Sequence, residues 1–336
     1  MGSIAFSGGG TGGHLAIVKA VMEQVNSPMV YIGSTKGQDR DWFENEKRFK
    51  SRYFLETTGV MDKGGVKKIA SLFNILKRVK EAREILKKED VKVLFSVGGF
   101  SAAPAAIAAI TLNIPLVIHE QNAYSGNLNR VLKPFAKAFI SSYEKNDITM
   151  AYPTKEIYFK SARVRERIKT ILIMGGSQGS VALNRFALEI APLLKEKNIK
   201  IYHQAGVKNV DEVKEGYKEL GVEAEVFGFS NNMAQIINEA DFAISRAGAS
   251  TLWEMVANGL PALFVPYPYA ANDHQYYNAK FLADKELGWV VREKELNKKL
   301  LEDILDKDLS SISKELIRLA KPNGARDIAK YLEKFV

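Results

Sequence analysis

Asp241-Phe242-Ala243-Ile244-Ser245-Arg246-Ala247-Gly248-Ala249-Ser250-Thr251-Leu252-Trp253-Glu254 runs on to Pro261-Ala262-Leu263-Phe264-Val265-Pro266 and then to Asn272-Asp273-His274-Gln275. The order reads strand, tight loop, helix, strand, polar loop. The apolar run from Phe242 to Ile244 stops at Arg246-Ala247-Gly248, and Ala249-Ser250-Thr251 opens a helix. A helix start leaves backbone N–H groups unpaired and carries partial positive charge, so it stabilises an anion. Glu254 falls about one turn in, placed to accept hydrogen bonds from a sugar diol. The polar loop adds Asp273, His274 and Gln275. Ligands of such units lie at the carboxyl ends of parallel strands, and these residue types fit a nucleotide-sugar site. The plain alternative is an ordinary βαβ unit with capping residues.

The same grammar recurs outward from that stretch. A strand over 3–7 leads into Gly8-Gly9-Gly10-Thr11-Gly12-Gly13-His14 and a helix over about 15–25. A strand over 91–97 leads into Gly98-Gly99-Phe100-Ser101 and an alanine-rich helix. After a connector from Tyr152-Pro153-Thr154 and a charged run over 163–169, the pattern restarts. A strand over 170–174 meets Gly175-Gly176-Ser177-Gln178-Gly179-Ser180 and a helix over 181–190. No Gly-Lys-Ser/Thr closes any of these loops, so none is a Walker A motif. The acids after the second strand, Asp39 and Asp41, lie on a polar segment and not at the strand end, which departs from the dinucleotide fingerprint. Alternating strands and helices predict parallel sheets. Two such halves predict an α/β protein of two Rossmann-like domains with a ligand cleft between them.

Length and composition agree. A chain of 336 residues exceeds what one core usually covers. A hydrophobic content of 46% and a charged content of 26% describe an ordinary globular protein. There is no cysteine, which excludes disulfides, thiolate nucleophiles and Cys-based zinc sites. No signal peptide is visible, and the apolar stretch 101–118 is interrupted by Pro104, Asn113 and Pro115. The net charge of +9 favours anionic partners, against the plainer reading of a lysine-rich solvated surface.

Residues 63–88 differ in character. Ile69, Leu72, Phe73, Leu76, Val79 and Leu86 recur at helical spacing, while Lys67, Lys68, Lys77, Arg78, Lys80, Arg83, Lys87 and Lys88 crowd the rest. One reading is a core-packed helix with a solvated basic face. The other is an amphipathic surface that meets anionic lipid.

The three glycine loops, His119-Glu120-Gln121-Asn122, the segment from Arg246 to Glu254 and Asp273-His274-Gln275, taken in that order, resemble the MurG family over nearly the whole chain. That family moves N-acetylglucosamine (GlcNAc) from UDP-GlcNAc to lipid I, making lipid II for peptidoglycan. The resemblance implies the GT-B architecture. It divides the chain into an acceptor and membrane-facing domain over 1–155, with the final helix (324–336) packing back on it, and a donor domain over 156–323. It also implies a peripheral place on the cytoplasmic face of the cell membrane. Ser177 would contact the diphosphate and Phe229-Ser230 the uracil. Ala249, Ser250, Thr251 and Leu252 would line the phosphates with Trp253 beside them, Glu254 would bind the ribose and Gln275 the GlcNAc ring. Thr11, Gly12, Gly13 and Asn122 would reach the GlcNAc from the other side of the cleft. The glycine loops of the first half would hold the pyrophosphate of lipid I. Three features depart from the family pattern, one of them the short connector after Tyr152-Pro153-Thr154. Leu15-Ala16-Ile17-Val18-Lys19 lacks a proline, and Lys155 stands for an arginine, keeping the charge but losing the planar fork.

Inverting transfer to the 4-hydroxyl of the lipid-linked MurNAc calls for a general base. His14 is the first candidate, since imidazole titrates near neutrality. Glu120 and Asp273 are weaker ones. His119 and His203 are expected to satisfy local hydrogen bonds. No carboxylate pair shows metal-ligand spacing, so neither a divalent ion nor a cofactor is expected to be required. Rival readings are a same-fold glycosyltransferase acting on diacylglycerol, a UDP-GlcNAc epimerase, an NAD-dependent oxidoreductase and a nucleic-acid-binding module. The last is poor for want of aromatic residues between the basic ones, so no nucleic-acid partner is expected. Charge reversal at Lys77, Arg78 and Arg83 is expected to weaken sedimentation with anionic vesicles and to spare UDP binding. Unchanged sedimentation would refute the lipid reading of this helix.

Overall fold

The structure is a computed structural model that describes residues 2–57, 65–143, 148–176 and 178–336, with the backbone alone over 65–75 and at 148–149. The chain forms two compact units, Met1–Thr154 with Asn323–Val336, and Lys155–Pro322. The first holds β1 (Ser3–Ser7), α1 (Gly12–Met22), β2 (Met29–Ser34), α2 (Asp39–Phe43), β3 (Ser51–Leu55), α3 (Gly65–Lys88), β4 (Val91–Ser96), α4 (Ala103–Thr111), β5 (Leu116–Glu120), α5 (Asn127–Leu132), β6 (Ala138–Ser141) and β7 (Ile148–Thr149). The second holds α6 (Glu156–Lys160), β8 (Thr170–Met174), α7 (Val181–Glu196), β9 (Lys200–Gln204), α8 (Val210–Glu219), β10 (Glu225–Phe227), α9 (Met233–Glu239), β11 (Phe242–Ser245), α10 (Ala249–Asn258), β12 (Ala262–Phe264), α11 (His274–Ala283), β13 (Trp289–Val290), α12 (Lys298–Leu305) and α13 (Ser310–Leu319). The last helix, α14 (Gly324–Glu333), belongs to the first unit.

Each unit is built on one sheet, ordered β3-β2-β1-β4-β5-β6-β7 in the first and β10-β9-β8-β11-β12-β13 in the second. The strands pair in parallel throughout. Helices cover both faces of such a sheet, so its strands read as unbroken apolar runs. Ile4-Ala5-Phe6, Ile171-Leu172-Ile173 and Phe242-Ala243-Ile244 are accordingly fully buried. In each sheet the chain begins centrally, works outward one way, then returns beside its first strand and works outward the other way. The strand order therefore reverses between β1 and β4 and again between β8 and β11. Loops leaving the carboxyl ends of those strands diverge, and ligands of open α/β sheets lie there.

Several local readings change. The first helix begins at Gly12, so Gly12, Gly13 and His14 form its first turn. Pro192 does not end α7, because Leu193 and Leu194 beyond it are buried in the second core. His274 and Gln275 open α11 instead of lying in a loop. In α14, the Glu333 carboxylate accepts from Asn26 N at 2.7 Å, Ser27 N at 3.0 Å and the Ser27 hydroxyl, tying the chain's last helix to the start of β2.

In the part of α3 whose side chains are described, Val79, Ala82, Ile85 and Leu86 join the first core beside α4. Lys77, Lys80, Lys87 and Lys88 stay exposed. Arg78 pairs with Glu56 at 3.0 Å and Glu81 at 2.8 Å, and Arg83 donates to the Thr111 carbonyl at 3.2 Å. Both arginines therefore brace the fold, and Lys77 with Lys80 make the cleaner charge-reversal pair.

The charged run over 163–169 is structural. Arg165 is fully buried, and every acceptor it meets is a carbonyl oxygen. It donates to Ile237 O at 3.0 Å, Ala240 O at 3.2 Å and Arg163 O at 2.9 Å, and to both the backbone and side-chain oxygens of Asn258. A cation is favourable where the helix ends of α9 and α10 present unpaired carbonyls. Burial, with Arg163 nearby, nevertheless lowers this guanidinium to about 9. Arg163 caps the same end of α9 and meets Asp241 at 2.8 Å. Arg165→Met is expected to destabilise the second unit by about 3 kcal/mol or more, since it orphans buried carbonyls. Urea unfolding measures this, and an unchanged midpoint would contradict the role.

Candidate active site

At the switch point of the second unit, the loop after β8 faces the loop after β11. Gly179 has φ +77° there, and a Cβ on it would overlap the Ala205 carbonyl. Ser180 caps α7 by accepting from Leu183 N at 3.3 Å. Arg246 ties the loops together: it donates to the Ser180 hydroxyl at 2.6 Å, Glu293 at 2.7 Å, Val265 O at 3.1 Å and Pro266 O at 3.2 Å. Gly248 stands at the N-cap of α10 and offers no side-chain cap. The first turn of α10 (Ala249, Ser250, Thr251) thus presents backbone N–H groups that suit an anion. Ser177 lies outside the described residues.

Glu254 keeps part of its surface in solvent, yet its carboxyl is enclosed. Burial raises it to about 7, against the opposing pull of Lys155 and a hydrogen bond from the Tyr158 hydroxyl. Leu252 and Trp253 turn inward: Leu252 is fully buried, and Trp253 packs on Phe281 with ring centroids 6.2 Å apart. Their side chains belong to the core, so contact with a ligand would fall to their backbone. Successive residues of a helix are turned about 100° apart, so Leu252 and Trp253 bury their side chains while Glu254 keeps part of its surface in solvent. Gln275 spends its carbonyl oxygen on Tyr267 N at 2.9 Å and Ala247 N at 3.2 Å, leaving its amide NH₂ as the outward donor. Asp273 is held by Arg292 in two contacts of 2.8 and 2.6 Å, and His274 Nδ1 donates to Ala271 O at 2.8 Å. Phe229 is 62% exposed beyond β10, beside Ser230, whose hydroxyl accepts from Asn232 N.

The first unit's switch point carries the other two glycine loops. Gly99 has φ +80°, and a Cβ there would stand 2.5 Å from Gly9 O, so the loops can close on each other only without side chains. Asp39 organises them. It is fully buried and accepts from Gly10 N at 2.7 Å, Ser34 N at 3.0 Å and the Tyr31 hydroxyl at 3.0 Å. Its carboxyl is raised by burial against those donors. The acid that looked misplaced on a polar segment is thus a brace under the Gly8–Gly10 turn. On the first turn of α1, His14 Nδ1 lies 2.8 Å from the exposed Thr11 hydroxyl.

Glu120 is almost wholly buried, with its carboxyl raised by burial. Its oxygens accept from Asn122 N at 2.9 Å, Asn122 Nδ2 at 3.3 Å, Gly126 N at 2.9 Å and Asn129 Nδ2 at 2.9 Å. That geometry shapes the 121–126 loop and suits proton abstraction poorly. His203 meets Tyr217 and Asn184, each at 3.1 Å. His119 does not follow the same expectation: both its ring nitrogens are buried without a hydrogen-bond partner, and burial, then His14, lowers it to about 3. Ser101 Oγ and Gln121 Oε1 near the same strand ends are also buried and unpartnered. Among the described residues no three His, Asp or Glu side chains gather as metal ligands, and no helix is long and apolar enough to cross a membrane.

Comparison with known proteins decides the family. The glycosyltransferase family 28 N-terminal domain matches residues 4–141, and the family 28 C-terminal domain matches 170–332. A Sulfurovum relative, named UDP-N-acetylglucosamine--N-acetylmuramyl-(pentapeptide) pyrophosphoryl-undecaprenol N-acetylglucosamine transferase, is 53% identical over 99% of both chains. A Wolinella succinogenes relative of the same name is 52% identical over 98% of this chain and 99% of its own. The crystal structure of Acinetobacter baumannii MurG matches with a TM-score of 0.81 at 27% identity, covering 99% of this chain and 100% of that one. The chain belongs to the MurG family. Its two Rossmann-like units are the GT-B architecture of that family.

Sequence reasoning missed the braces of this family member: Asp39, Tyr158, Arg165 and Arg246 in its supporting role. Asp39 left a trace, as an acid out of place after the second strand; Tyr158 left none. Glu254 yields a test whose sign is fixed. The enclosed site favours the protonated carboxyl, so this contribution to stability is complete below its ordinary 4.5 and is lost as pH rises through about 7. Glu254→Gln is therefore expected to melt higher than the wild type at pH 8, by up to ~3 kcal/mol, with the difference vanishing toward pH 4. Thermal melts at several pH values check it. An equal difference at every pH would contradict the assignment.

Proposed function

We propose that the protein transfers GlcNAc from UDP-GlcNAc to the 4-hydroxyl of MurNAc in undecaprenyl-pyrophosphoryl-MurNAc-pentapeptide (lipid I), giving lipid II in peptidoglycan biosynthesis. The observation that carries this is the 53% identity to a relative named for that transfer, end to end over both chains. The second unit binds the donor. The first turn of α10 and the loop after β8 receive the diphosphate, Glu254 the ribose hydroxyls and the Gln275 amide the sugar. The exposed Phe229-Ser230 edge takes the uracil. The first unit binds the acceptor through its paired glycine loops, with Thr11, Gly12, Gly13 and Asn122 nearest the sugar.

The acceptor oxygen attacks the anomeric carbon as the bond to UDP breaks, with inversion. His14 takes the hydroxyl proton. With Nδ1–H donating to the Thr11 hydroxyl 2.8 Å away, the Nε2 lone pair is the base. The departing diphosphate gains charge at the uncapped helix start, where oriented N–H groups are already in place. The protein works as a peripheral enzyme on the cytoplasmic membrane face. Support comes from exposed Lys77, Lys80, Lys87 and Lys88 on α3 and from exposed Val131 and Phe135, which flank the end of α5 near Arg130 and Lys137.

A transfer assay with radiolabelled UDP-GlcNAc, offering lipid I and diacylglycerol side by side, tests the reading. Label is expected in lipid I alone; label in diacylglycerol, or isomerised sugar from UDP-GlcNAc with no acceptor, would overturn it. In the same assay His14→Gln is expected to lower kcat by roughly 10²–10⁴-fold while leaving donor KM near the wild-type value.

A further inference from the structure

Glu254 and Asn258 lie one turn apart on α10, so they present the same face to α6. Asn258 Nδ2 donates to the Tyr158 carbonyl at 3.0 Å and to the Ser161 hydroxyl at 2.9 Å. Asn258 is itself held by Arg165 through its backbone and side-chain oxygens. The α6 backbone is thereby locked against α10 at the residue whose side chain reaches Glu254. Tyr158 is 5% exposed, and its hydroxyl donates to the Glu254 carboxylate. A buried ring on a fixed backbone has few other rotamers.

We propose that Tyr158 is a positioning residue of the donor site: its hydroxyl holds the Glu254 carboxylate in the orientation that accepts from the ribose diol of a uridine diphosphate sugar. This rests on the reading of Glu254 as the ribose ligand and adds the residue that makes it competent. An enclosed carboxyl with a pKa of about 7 is only part-ionised near neutrality, and the ionised form is the stronger acceptor for the two ribose hydroxyls. Two groups favour that form. Lys155, exposed at the N-cap of α6, acts through its charge, and Tyr158 acts through a hydrogen bond. Among the described residues no titratable group of α9, α11 or α13 acts on Glu254. The division of labour has a direct consequence. Losing the Tyr158 hydroxyl should cost donor affinity and move its pH dependence upward, without touching the chemical step.

The test is calorimetric binding of UDP-GlcNAc to the full chain from pH 6 to 9, with steady-state kinetics on the same proteins. UDP-GlcNAc is used because its diphosphate has no terminal phosphate ionisation in that range. For the wild type, affinity is expected to rise with pH through about 7 and then level off. Tyr158→Phe keeps the buried ring. It is expected to raise donor KM roughly tenfold near neutral pH, to shift the midpoint of the profile upward, and to leave kcat at saturating donor unchanged. At pH 8 its penalty should be smaller with the 2′-deoxyribose analogue of the donor. Replacing Tyr158 by 3-fluorotyrosine strengthens the donor without changing the packing, and should move the midpoint downward. This second variant decides the matter if Tyr158→Phe folds poorly. Profiles for both variants that superimpose on the wild type would overturn the proposal. Glu254→Gln separates the two levels of inference. If it binds UDP-GlcNAc with wild-type affinity and profile, the ribose assignment itself fails. If it binds weakly with a flat profile while the Tyr158 variants match the wild type, only the positioning role fails.

Discussion

A parallel strand ends on the opposite edge of the sheet from where its successor must begin, so the chain has to cross over after every strand. In both units that crossing reverses direction once, beside the first strand laid down. The reversal leaves a pair of adjacent strand ends whose outgoing loops part company, and nothing in the sheet fills the space above them. Gly8–Gly13 with Gly98-Gly99 stand at such a point in the first unit, and Gly175-Gly176 with Gly179 stand opposite Arg246–Gly248 in the second. The location of the site follows from that topological constraint before any side chain is considered.

Loops at a switch point are held only at their ends, and rigid catalytic geometry needs more. The protein supplies it with buried or half-buried charged groups that have exchanged water for backbone and side-chain partners. Asp39 gathers Gly10, Ser34 and Tyr31; Glu120 gathers Asn122, Gly126 and Asn129; Arg246 spans Ser180, Glu293 and two carbonyls; Arg165 collects the ends of α9 and α10. Each group is costly to bury and is compensated only by its full set of partners. Such a group tolerates few alternative arrangements of the loops around it. Asp39 and Glu120 also show why an acid in a motif is poor evidence of acid–base work, since both have their oxygens committed to the backbone and side-chain donors that shape a loop.

The site residues divide by how far their role depends on what lies outside their own segment. Ala249, Ser250 and Thr251 open a helix, and the N–H groups of a helix start are readable from local pattern. Leu252 and Trp253 follow them directly in sequence but face the core, because a helix turns about 100° per residue. Lys155 looked like a weakened substitute for an arginine. It stands at the N-cap of α6, near enough to favour the ionised form of Glu254, while Tyr158 three residues on makes the hydrogen bond.

The sequence by itself determined the two-unit α/β plan. Apolar runs bounded by glycine loops and alternating with helical periods admit little else, since buried parallel strands have no polar face to show. It also determined the family, because the order of motifs along the chain is itself linear information. Only the tertiary structure decided which charged residues are braces and which remain exposed. Asp39 and Arg165 lie in polar stretches of sequence, and both are fully buried. His119 and His203 look alike at strand ends, yet one has two partners and the other none. The physical reason is common to all four. Whether a polar group is solvated, paired or orphaned depends on segments that approach it from tens of residues away, and no local pattern of residues records that approach.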